Sequence, residues 1–152
     1  MSINQKPRHR AVACILLGAL VASGCGSGGE ASVGSKRDIT HLRVVGILYG
    51  RCMDANRGLA PTNEEQFIAF MQREPENWNK LAPTPKQLLT SPRDGQPLVI
   101  VYGRSLKDDP EIGFPLIAHE KTGVDGQQIV ISASGVIQPK SAEEIAQLFP
   151  SS

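Results

Sequence analysis

PLIAHEKTGVDGQQIVISASGVIQPKSAEEIAQL, residues 115–148, sets the fold class. Three apolar or β-branched runs lie in it, at 115–120, 128–133 and 136–138. Gly123-Val124-Asp125-Gly126 separates the first two, and Ser134-Gly135 separates the second from the third. Turns this short join antiparallel neighbours, because a parallel crossover needs a dozen or more residues. Ser141-Ala142-Glu143-Glu144 then has the form of a capping box. It opens a helix expected to run through Leu148 and to stop at Pro150. Upstream, Leu98-Val99-Ile100-Val101-Tyr102 is another short β-branched run. The turn-rich crossing Ser91-Pro92-Arg93-Asp94-Gly95-Gln96-Pro97 leads into it.

Ahead of these strands the period changes from two to that of a helix. Leu42, Val45, Tyr49 and Cys52 recur at helical spacing, and Val44 and Leu48 widen the stripe. Asp38 is the expected N-cap of a helix over residues 39–55, and Asn56, Gly58 and Pro61 supply the stop. Its β-branched residues are weak helix formers, so packing must hold it. Thr62-Asn63-Glu64-Glu65 reads as a capping box for a second helix, with Phe67, Phe70 and Met71 on one face and an end before Pro75. Residues 76–81 make a further turn with Trp78 as an apolar plug, and Thr84-Pro85 begins a short helix through Leu88 or Leu89. The expected class is α+β: an N-terminal helix packed on a small three- to four-stranded antiparallel sheet, with short extra helices including one at the C-terminus. Leu42, Val45, Leu48 and Tyr49 are expected to meet strand residues near Val99, Val101, Ile117, Val130 and Val136.

The N-terminus reads as an address. Lys6, Arg8 and Arg10 precede an apolar run over residues 11–22, which is the layout of a secretory signal peptide. That run is about 12 residues long, against roughly 20 for a membrane-spanning helix. Ala22-Ser23-Gly24-Cys25 has the form of a lipobox, with Ala22 where Leu is usual. Residues 1–24 are then a lipoprotein signal, and Cys25 is the lipidated first residue of the mature chain. Two or more acyl chains hold a protein firmly at a bilayer, where one holds it marginally. Residues 25–37 are rich in Gly and Ser and read as a tether spanning roughly 15–20 Å. Residues 38–152 form the single globular domain. Gly26 rather than Asp follows Cys25, which permits the outer membrane.

Composition narrows the function classes. Removing the three basic residues of the signal leaves 13 basic and 15 acidic residues, a charge of −2. No clustered basic face of the kind that nucleic acid requires is evident. With Cys14 removed and Cys25 acylated, Cys52 stands alone, so neither an internal disulfide nor a Cys-based metal site is available. Its place on the apolar stripe makes Cys52 a buried apolar residue.

The order of elements resembles the globular head of type II secretion pseudopilins and related pilin-like proteins. Residues 91–98 resemble the Asp-Pro-x-Gly-x-Pro-Tyr segment entering their first strand, and residues 123–126 resemble their Gly-Ala-Asp-Gly turn. Residues 136–148 resemble the closing strand and Ser-x-Glu-Glu helix of many pilin-like envelope proteins. The resemblance covers residues 39–149 and implies a pilin-like head. It departs where a pilin carries an early Glu and a long apolar filament helix; a lipid and a tether stand there instead. What it implies is an anchored head, not a pilus subunit.

Candidate chemistry is sparse. His41 and His119 have no metal-ligand spacing between them and read as surface or half-buried residues. Ser132 or Ser134, His119 and Asp125 can be assembled into a triad on paper, yet no nucleophile elbow surrounds either serine. Asp108, Asp109 and Glu111 form the densest acidic cluster, in an inter-strand loop of the kind that holds Ca²⁺. Pseudopilins carry calcium in a comparable loop, but a solvated loop tip is the plainer reading here. The functional expectation is a membrane-anchored envelope lipoprotein, a non-enzymatic binding or structural module without cofactor or catalytic residues. Its partners are the membrane, through Cys25, and an envelope or secretion protein; nucleic acid is not one. The alternatives are a hydrolase acting on envelope polymers and a calcium-dependent ligand binder.

Overall fold

In the computed structural model, which describes residues 34–150, Ser35 caps the first helix, α1 (Lys36–Ala55). Its Oγ accepts from the Asp38 amide at 3.3 Å, and the Asp38 carboxylate accepts from the Ser35 amide at 3.0 Å. Asp38 is therefore the third residue of a capping box and not the cap. The reciprocal pair satisfies two orphan amides where Asp38 alone would satisfy one. The helix thus begins inside the stretch read as tether. The signal, Cys25 and the tether up to residue 33 lie outside the described residues.

One face of α1 is buried through Leu42, Val45, Leu48, Tyr49 and Cys52, as the spacing predicts. Cys52 is 2% exposed, and burial pushes its thiol up, with Arg73 opposing. The phenol of Tyr49 donates to the carbonyl of Val101 at 2.5 Å, fastening the helix to the sheet. Two glycines let α1 come unusually close to the loop after the third strand. A Cβ on Gly46 would sit 2.3 Å from the Ser132 carbonyl oxygen, and one on Gly50 would sit 2.2 Å from that of Ala133.

α2 (Glu64–Met71) is capped by Asn63, whose side chain accepts from the Gln66 amide at 2.9 Å. Gln66 reaches back to the Thr62 amide, so the capping motif lies one residue later than Thr62-x-x-Glu65 suggests. Phe67 packs edge-on to Tyr49 with ring centroids 5.2 Å apart. A single 3-10 turn (Pro75–Asn77) follows, and Trp78 plugs the core with its indole N–H on the Met71 carbonyl. α3 (Pro85–Leu88) is capped by Thr84.

The sheet has four antiparallel strands in chain order: β1 (Val99–Ile100), β2 (Leu116–His119), β3 (Gln127–Ser132) and β4 (Ile137–Ser141). A bulge at Ile117 shifts the β2–β3 register between Leu116 and Ala118. α4 (Ala142–Leu148) opens with the expected Ser141–Glu144 box. β1 is shorter than the run 98–102, although Val101 N–H still reaches the Ile117 carbonyl of β2 at 2.9 Å. Leu98 N–H goes to Leu89 and Gly103 N–H to Pro61, each at 2.9 Å. β4 is longer than expected and carries Pro139 and Lys140.

The strand side chains divide between two layers. Ile117, Ile129 and Ile131 join α1, α2 and α3 in the main core. By strand alternation Val130 faces the opposite side, where α4 packs on β3 and β4 and buries Ile145. Three expected core positions are thereby corrected. Val99 is 42% exposed, Val136 is 41% exposed, and Val130 is buried against α4 instead of α1. One-residue alternation decides Val99 and Val130, since nothing in a continuous apolar run marks which parity faces which helix, and Val136 lies in the turn ahead of β4.

Candidate functional site

α4 is only seven residues long and covers the β3–β4 half of its face. Beside it, over β1 and β2, an open groove of about 540 Å³ remains. Val99, Val101, His119, Gln128, Ile145 and Phe149 are among its walls. The size lies within the range of ligand sites. A second groove of about 490 Å³ shares Val101, Arg104, Phe149 and Pro150 with it and runs on toward the acidic loop.

His119 is the most chemically versatile group there. It is buried, contrary to its expected half-exposed position. Strand β2 places it opposite Val130, and its ring lies 4.7 Å from that of Phe149. Its Nδ1 is 2.7 Å from the Glu120 carbonyl. A carbonyl only accepts, so Nδ1 carries a proton and donates to it. Two further polar groups line the groove: the Gln128 amide nitrogen donates to Lys121 O while its buried Oε1 has no partner, and the buried Tyr102 hydroxyl has none either. The lining residues include no carboxylate, serine, threonine or cysteine.

The other candidates are held in structural roles. Ser132 accepts from the Val136 amide and shares a hydrogen bond with Ser134. Asp125 sits in the β2–β3 turn with a φ of +53°. Strand β3 lies between it and Ser132, a separation of about 16 Å at 3.3 Å per residue. The paper triad is therefore not assembled. His41, also expected near the surface, is buried, and its Nε2–H donates to the Leu88 carbonyl at 2.8 Å, joining α1 to α3. Asp109 Oδ1 accepts from the amides of Glu111 and Ile112, each at 3.0 Å. That carboxylate closes its own loop. Among the described residues no three His, Cys, Asp or Glu side chains converge to hold a metal ion, so Asp108, Asp109 and Glu111 are not brought together as a site.

One polar cluster has no counterpart in the sequence reading. Glu120 is fully buried at the end of β2. Its carboxylate takes the Arg93 guanidinium at 2.5 Å, the Ser91 hydroxyl at 2.6 Å and the Ile129 amide at 2.9 Å. Next to it, Asp94 accepts from the amides of Gln96, Thr122 and Gly123. Partial burial would raise its carboxyl, but these amides outweigh that and hold it below the ordinary value of 3.8. The crossing 91–97 thus clamps the β2–β3 hairpin. The only sequence signal was a Glu ending an apolar strand opposite a Ser-Pro-Arg-Asp turn, and spacing alone does not pair them.

Among the described residues no helix is long and apolar enough to cross a membrane. Comparisons with family models, curated proteins and solved structures returned no match.

Proposed function

We propose that this chain is an envelope lipoprotein, acylated at Cys25, whose pilin-like head binds another envelope or secretion component without catalysing a reaction. The observation that carries the binding role is the groove beside α4. It combines exposed Val99 and half-buried Phe149 with the polar groups of His119, Gln128, Tyr102 and Arg104, and its lining brings no carboxylate, serine, threonine or cysteine to His119. General acid–base chemistry wants a titrating pair in contact. An apolar floor with a few fixed polar groups suits recognition. The order of long helix, short helices and antiparallel meander supports the pilin-like head. Ala22-Ser23-Gly24-Cys25 supports the anchor.

Two experiments test this. Metabolic labelling with a clickable fatty acid should mark the wild-type chain and not Cys25→Ser; label retained by the variant would refute the anchor. A photo-crosslinking residue at position 99 or 149 should yield the same adduct in cells, absent when it is placed at exposed Thr40. Equal adducts at all three positions, or hydrolysis of envelope polymers by the purified chain, would overturn the binding role.

A further inference from the structure

We propose that the corner of the domain where α1 begins rests on an anionic lipid surface, with Lys36, Arg37, Lys80 and Lys86 meeting headgroup phosphates. The inference rests on acylation of Cys25, and two observations carry it from there. The first is reach. Nine residue steps lead from the lipidated Cys25 to Gly34. Nine residues span at most about 32 Å even when fully extended. Gly34, though exposed, lies beside Arg93 and Asp38, where a Cβ would come within 3.1 Å and 3.3 Å of their side chains, and the next residue, Ser35, is fixed by the capping box. The chain therefore leaves the domain at one fixed corner, and that corner is drawn toward the bilayer.

The second observation is charge. A groove of about 440 Å³ at this corner is walled by Arg37 and His41 of α1, by Leu81 and Pro83, by Gln87 of α3 and by Pro92. Lys80 and Lys86 adjoin Leu81 and Gln87 in the chain, and with Lys36 and Arg37 they are exposed. The ion pairs among the described residues, Arg51–Glu74, Arg93–Glu120 and Lys140–Glu144, use none of these four. Of the neighbouring carboxylates only Glu76, beside Lys80, is exposed, and three others are held by the protein. Asp38 holds Ser35, Asp94 holds three amides, and Glu120 is buried against Arg93. Lys121 and Asp125, in the β2–β3 hairpin, offset each other, and Glu143 and Glu144 start α4 on the opposite face of the sheet. At the other end of α1, about 30 Å away, acid prevails. Asp54, Glu64, Glu65, Glu74, Asp108, Asp109 and Glu111 outnumber Arg51, Arg57, Arg73, Arg104 and Lys107 there. Each cation held near an anionic membrane strengthens attachment about fivefold, over a range of roughly a Debye length. Four on the tethered side fix which side faces the lipid.

The acylated mature protein, with Cys52→Ala, would be reconstituted in two kinds of vesicle: phosphatidylethanolamine with phosphatidylglycerol, and phosphatidylcholine alone. A fluorophore on Gln87→Cys or on Glu65→Cys would report proximity to a headgroup quencher, and both variants would first be shown to unfold cooperatively. Quenching at position 87 and not at 65, in the anionic vesicles alone, is the expected result. It should be lost in roughly 0.5 M salt and in Lys36→Glu with Arg37→Glu. Equal quenching at 87 and 65, or quenching at 87 that ignores lipid charge, would overturn the orientation while leaving the anchor intact. A mature N-terminus without acyl mass would instead overturn the anchoring beneath it.

Discussion

Replacing Gly46 with Ala sets two well-measured effects against each other. Ala is a better helix former than Gly by about 0.8–1.0 kcal/mol, and Gly46 lies mid-helix, so propensity alone predicts stabilisation. The packing predicts the reverse. The new methyl would lie 2.3 Å from the Ser132 carbonyl oxygen, 2.9 Å from Gly135 Cα and 2.9 Å from Ile131 Cγ2. Two of these three atoms are backbone, so no side-chain rotation relieves them. Overpacking a tight core costs about 1–3 kcal/mol, and a backbone obstacle belongs at the upper end. The net expectation is a loss of about 2 kcal/mol, read as a lower urea midpoint at unchanged m-value. Gly50→Ala should behave alike, since its methyl meets Ala133 O at 2.2 Å. The two glycines are one helical turn apart and face neighbouring carbonyls. One outward shift of α1 relieves both clashes, so the double variant should lose clearly less than the sum of the singles. A Gly46→Ala protein as stable as wild type would refute the reasoning. It would mean that α1 rides farther from the β3–β4 turn.

Arg93→Ala strands a fully buried Glu120 and should cost about 3–5 kcal/mol in urea unfolding, whereas Arg93→Met with Glu120→Met should recover much of that loss. The depressed Asp94 carboxyl contributes stability that is fully present above its unfolded value and is lost as pH falls through the lower folded one; Asp94→Asn should flatten the acid limb of stability measured below about pH 4. Cys52 should alkylate slowly in the native protein and quickly in denaturant, because burial both hides the thiol and disfavours the thiolate. Melts with EDTA and with Ca²⁺ should share one midpoint if Asp109 only caps its loop, whereas a calcium site would add about 2.7 kcal/mol at one hundred times its Kd.

The features legible in the sequence are those written within a few neighbouring residues. The Ser141–Glu144 box, the Thr84-Pro85 start, the Trp78 plug and the buried stripe of α1 all follow from spacing and local chemistry. So does the antiparallel order, because turns such as 123–126 leave no room for a crossover. The caps of α1 and α2 are displaced because several adjacent residues were able to cap, and only the hydrogen bonds choose among them. What was not legible depends on residues distant in the chain. Val130 lies in a run of aliphatics whose two faces meet different helices. Glu120 finds Arg93 across 27 positions, and His41 finds Leu88 across 47. The groove exists because α4 is too short to cover β1 and β2, a fact about coverage that no single segment contains.

For a chain anchored as proposed, the sheet's two margins would govern what happens at a crowded surface. The outer side of β1 is flanked by Leu89 and Pro61, and β4 carries Pro139, which lacks an amide to offer, followed by Lys140. Heads held by the proposed lipid anchor would diffuse in two dimensions and meet their own copies far more often than free proteins do. Open strand margins would turn those encounters into edge-to-edge growth. With both margins blunted, contacts between heads must be made by side chains, which can be selective and reversible. Heads anchored in that way would pack densely in the plane without polymerising into a sheet.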